Sequence, residues 1–81
     1  MRTAKAQAVA LAARFAAATG REPRTEEGPD RIRVEIDIPP TLSEPARRTV
    51  LAGLVNADRY GHDFTGRGAV VWAELDLRRA N

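Results

Sequence analysis

Residues 31–38, Arg31-Ile32-Arg33-Val34-Glu35-Ile36-Asp37-Ile38, alternate charged and apolar side chains without a break. Successive side chains on a strand point to opposite faces, so this segment reads as a strand with one core face and one polar face. A sheet built on it is covered on one side only. Pro39-Pro40 ends the strand, because proline cannot donate to the ladder.

Residues 44–57 read as a helix. Ser43 suits the N-cap, Glu44 lies in the positive first turn, and the missing N–H of Pro45 costs nothing at that position. Ala46, Val50, Leu51, Leu54 and Val55 form its expected apolar face.

Residues 60–77 read as a β-hairpin turning at Gly66-Arg67, between Thr65 and Gly68. In that register Tyr60, His62 and Phe64 share a side with Ala69, Val71, Ala73, Leu75 and Leu77, and that side is expected to be core. Gly61 falls opposite Trp72, whose ring can cover a strand glycine. Residues 58–65 are equally readable as a loop, since Gly61 and Asp63 are poor strand formers.

Charge chooses the topology. A parallel pairing of strand 31–38 with the last strand would set Glu35 and Asp37 beside Glu74 and Asp76, and like charges opposite each other destabilise a sheet. An antiparallel pairing sets Arg31 against Asp76 and Arg33 against Glu74. The expected unit is a split β-α-β of three strands in the order 1-3-2, with a right-handed crossover through the helix.

Upstream, residues 3–19 read as a helix rich in alanine, the best helix former. Ala4, Ala8, Leu11, Phe15 and Ala18 form one stripe, Val9 lies off it, and Gly20 supplies the left-handed stop. Residues 21–30 carry two prolines and no apolar anchor, and read as a solvated loop. The whole is a single α+β domain over 1–81, α-β-α-β-β: residues 1–20 a helix, 21–30 a loop, 31–81 the β-α-β-β unit, with both helices on one sheet face.

Four of the thirteen basic residues and none of the eleven acids lie in residues 1–21. The N-terminal helix is therefore basic, and the remainder is mildly acidic. Its acid-free start reads as a structural helix rather than a targeting segment, because Arg14 breaks the apolar run. Nothing approaches membrane-spanning length. With 81 residues and no cysteine, the chain has a small core and no disulfide staple. Association is the remaining way to bury more surface, so a homodimer through the first helix or the open sheet face is expected. The lack of cysteine fits a cytoplasmic location.

The chemical signals are weak. His62 sits among Asp58, Tyr60 and Asp63, with no second histidine and no metal-ligand spacing. It reads as structural, and a small enzyme built around it is the distant alternative. Ser43 is the only serine, and capping accounts for it. Gly66-Arg67-Gly68 lacks phosphate-loop spacing. No cofactor or metal is expected.

The open sheet face is the most informative feature. Val70 and Trp72 must lie on it, since a one-residue slip would bury Glu74 and Asp76. Trp and Arg dominate binding hot spots, so Trp72, Val70, Arg31 and Arg33, together with the turn residue Arg67, are the candidate partner-binding residues. The expected function is a non-enzymatic interaction or regulatory protein that binds a protein partner. A nucleic-acid-binding accessory protein using the basic first helix and Arg67 is the alternative.

Overall fold

The computed structural model describes residues 3–66 and 68–77. The elements run α1 (Ala4–Thr19), β1 (Arg24–Glu27), β2 (Arg31–Ile38), α2 (Glu44–Leu54), β3 (Arg59–Thr65) and β4 (Gly68–Asp76). The strands form one sheet in the order β1-β2-β4-β3, with every neighbouring pair antiparallel.

Both helices start where their caps dictate. The Thr3 side chain accepts the Ala6 N–H, and the Ser43 side chain accepts the Ala46 N–H. Gly20 adopts φ 70° and donates its N–H to the Ala16 carbonyl, which closes α1. A side chain with a Cβ would be strained there.

The core forms where α1 crosses the sheet. Ala8, Leu11 and Phe15 meet Ile32, Val34 and Ile36 of β2 and Val71, Ala73 and Leu75 of β4, with Val50 and Leu54 of α2 closing the cluster. The narrow stripe on α1 is therefore occupied by the chain's own sheet and by α2. That surface, expected as one of two dimer contacts, is spent within the monomer.

The central registers follow the charge argument. Arg31 lies opposite Asp76 and Arg33 opposite Glu74. The hairpin register pairs Thr65 with Gly68 and Gly61 with Trp72, so residues 59–65 are strand rather than loop.

Three expectations are corrected. The sheet has four strands, not three, because residues 21–30 contain β1. Gly28 N–H donates to the Arg31 carbonyl at 2.8 Å, closing a tight turn back onto β2. β1 is exposed throughout, so hydrophobic periodicity carries no trace of it.

The second correction concerns α2, which ends at Leu54 and exposes Leu51 and Val55. The cause is Gly53. A Cβ there would stand 2.8 Å from Leu11 Cδ1, so α1 packs directly over this glycine. Docking on that side turns Leu51 and Val55, each two residues away and roughly 160–200° round the helix, away from α1.

The third concerns β3. Tyr60, His62 and Phe64 do share the helix-covered face with Ala73, Val71 and Ala69. Tyr60 is nevertheless 55% exposed and Phe64 79%. The helices cover the middle of the sheet, and β3 at its edge extends beyond them.

Candidate functional site

The face away from the helices carries a lattice of ion pairs built by the strand registers. Glu74, nearly buried toward the C-terminal end of β4, is its centre. Its carboxylate accepts from Arg59 Nε at 3.0 Å, Arg33 Nη1 at 3.1 Å and Arg31 Nη1 at 3.2 Å. These donors come from both strands flanking β4. Arg33 also donates to Glu35 at 2.6 Å, and Arg59 pairs with Asp76. Arg24 on β1 reaches both Glu35 and Asp37 at 3.2 Å.

The electrostatics follow from these contacts. The Arg59 hydrogen bond, with those from Arg31 and Arg33, holds the Glu74 carboxyl below the usual glutamate range against the opposing effect of desolvation. Arg33 and then Arg24 lower Glu35 in the same way.

Trp72 lies within this lattice. Its ring covers Gly61, where a Cβ would meet Trp72 Cζ2 at 2.7 Å. The Arg33 guanidinium sits 4.5 Å from the ring centroid, within cation–π range. The ring is thus held between backbone and cation, and remains half-buried. Gly61→Ala is expected to push the indole outward, at a cost of about 1 kcal/mol, the low end for overpacking, because a half-buried ring has room to swing. A thermal melt together with a red shift of Trp72 emission checks this.

The candidate partner-binding residues come together in part. Arg31 and Arg33 share Glu74, and Arg33 stacks on Trp72. Val70 lies on the same face, opposite Asp63 and Asp37. Arg67 lies outside the described residues. Arg24 and Arg59 join the lattice unforeseen: Arg24 falls within the stretch read as a loop, and Arg59 lies one residue before the expected hairpin. Extending the hairpin register by one residue would have set Arg59 opposite Glu74.

His62 is exposed on the opposite face, and its ring meets Phe64 edge-on, with centroids 5.1 Å apart. Among the described residues, no group of three or more His, Cys, Asp or Glu is placed to hold a metal ion. No described helix is long and apolar enough to cross a membrane. Comparison with protein-family models, with curated proteins and with solved structures returned no match.

Proposed function

We propose that this protein is a small non-enzymatic interaction module that binds a protein partner through its open sheet face. The observation that carries this reading is the Arg33–Trp72 stack beside Val70, on a face that no described element covers. The aromatic ring, the apolar neighbour and the surrounding lattice form a pre-ordered platform, and pre-ordering lowers the entropic cost of association.

On the open face, the same lattice favours a protein partner over nucleic acid. Arg24, Arg31, Arg33 and Arg59 are all engaged by carboxylates of this chain. Phosphate binding draws on cations free to replace counterions. A gel shift at low salt tests the alternative that uses the basic first helix and Arg67: no complex is expected, and a complex whose affinity falls steeply with salt would favour the nucleic-acid reading.

The direct test is affinity capture from native lysate with identification by mass spectrometry, comparing wild type with Trp72→Ala. A partner retained by the wild type is expected to bind the variant about ten-fold more weakly, equivalent to about 1.4 kcal/mol. Equal retention by a folded Trp72→Ala variant would overturn the reading.

A further inference from the structure

We propose that a second copy of this chain adds to the free edge of β3, antiparallel about a two-fold axis through His62, so that the two sheets continue into one. This surface is distinct from the open face, and the proposal stands independently of that reading.

The two edges of the sheet are unlike. β1 is a short edge of four residues lying between Pro23 and Pro29, features that discourage strand addition. β3 has seven residues, Arg-Tyr-Gly-His-Asp-Phe-Thr, with neither proline nor lysine.

Its outward hydrogen-bonding groups can be assigned. Gly28 N–H bonds to the Arg31 carbonyl, so Arg31 turns its backbone groups toward β1. Alternation then turns Ile32, Val34 and Ile36 toward β4, and the Leu77 N–H bond to the Asp30 carbonyl agrees. Carried across the registers, the same alternation turns Arg59, Gly61 and Asp63 toward β4. The N–H and C=O groups of Tyr60, His62 and Phe64 are left on the outer edge.

These three residues also carry the uncovered side chains. Tyr60 and Phe64 stand exposed on the helix side, with His62 packed edge-on to Phe64. Exposed aromatics therefore lie along a strand edge that no described strand pairs, a combination that monomers usually avoid.

The strand is self-complementary about His62. Antiparallel pairing centred there sets Tyr60 opposite the second copy's Phe64, His62 opposite His62, and Phe64 opposite Tyr60. All three are positions with outward backbone groups, so each pair exchanges two hydrogen bonds. Cross-strand aromatic pairs add to this. On the open face, Gly61 falls opposite Asp63, so no carboxylate lies directly opposite another, and each Asp63 has the other copy's Arg59 on one diagonal and its Asp63 on the other. Centring on Gly61 instead sets Phe64 opposite Asp58, and centring on Asp63 sets Tyr60 opposite Gly66. Only the His62 centre pairs both aromatics.

The test uses the full chain. Sedimentation equilibrium at about 100 μM is expected to show a dimer, since a micromolar Kd leaves little monomer there. Phe64→Lys changes an exposed side chain, and is expected to weaken association by about ten-fold or more with an unchanged circular dichroism spectrum. Trp72→Ala is expected to remain dimeric. The native chain has no cysteine, so His62→Cys reports the register: paired Cα atoms about 5.5 Å apart are within disulfide reach. Mild oxidation is expected to link two His62→Cys chains and to leave Tyr60→Cys chains unlinked. A monomeric wild type, a Phe64→Lys variant as dimeric as wild type, or equal cross-linking at positions 60 and 62 would each overturn the proposal. Dissociation by Trp72→Ala but not by Phe64→Lys would overturn it as well, and would move self-association to the open face.

Discussion

Phe15→Ala is expected to destabilise the protein by about 3–5 kcal/mol, the range for truncating a fully buried phenylalanine. Phe15 is among the largest of the fully buried side chains, and it sits at the junction of three elements. Its stripe on α1 faces β2, while its ring lies 3.7 Å from the position a Cβ would take on Gly53 of α2. The void left by alanine cannot be filled easily. Its neighbours Ile32, Val34 and Ile36 are held by the strand ladder, and the remaining α1 stripe is alanine and one leucine. Small domains have only about 5–15 kcal/mol to lose, so the variant should populate unfolded chain at ambient temperature. Urea titration is the measurement. A midpoint drop with an unchanged slope identifies lost stability, and a change of slope a loosened native state. A loss under 1 kcal/mol would show that α1 is not the lid of this core.

Glu74→Ala is expected to cost about 2–3 kcal/mol, toward the upper range for hydrogen bonds to charged groups. Glu74 joins β2, β4 and β3 through Arg31, Arg33 and Arg59, and is itself nearly buried. Removing it leaves cations converging with no anion between them. The cost stays short of that for breaking a fully buried pair because the arginines are partly exposed and rehydrate.

The same contacts set a pH dependence. Glu74 and Glu35 are held below the ordinary glutamate value of about 4.3 in the folded state. Their contribution is complete above that value and is lost as the pH falls below about 4.3, toward the lower folded-state values. Wild type should therefore lose stability in acid, and Glu74→Ala should lose less over the same interval. Parallel acid titrations of the two proteins, followed by circular dichroism, provide the check. Equal acid sensitivity would show that the lattice contributes little to folding.

Some of this site was legible because charge and parity report on pairing directly. Arg33 opposite Glu74 and Gly61 opposite Trp72 both follow from alternation and one turn. The hub character of Glu74 was not legible. It depends on Arg31 reaching diagonally past Asp76 and on Arg59 arriving from the other side, and side-chain reach is not written in sequence order.

The limit is clearest at the sheet edges. Arg24–Glu27 has no apolar residue, so nothing in its composition separates a strand from a loop. Its strand character comes from the turn at Gly28 and from Arg24 bridging Glu35 and Asp37 on β2. At the other edge, parity placed Tyr60 and Phe64 on the helix side, but parity says only which way a side chain points. Whether anything lies above it depends on where the helices dock.

The sequence by itself determined the two capped helices, the strand at 31–38, the terminal hairpin, the antiparallel order of the central strands and the face on which Trp72 lies. Each of these rests on local periodicity, capping chemistry or the repulsion of like charges, and all of these act between residues whose spacing is known in advance. The tertiary structure alone decided the fourth strand, the three arginines on Glu74 and the uncovered β3 edge. The fourth strand rests on the turn at Gly28, the Glu74 hub on side-chain reach across three strands, and the uncovered β3 edge on where the helices dock, with α2 packed close against α1 at Gly53.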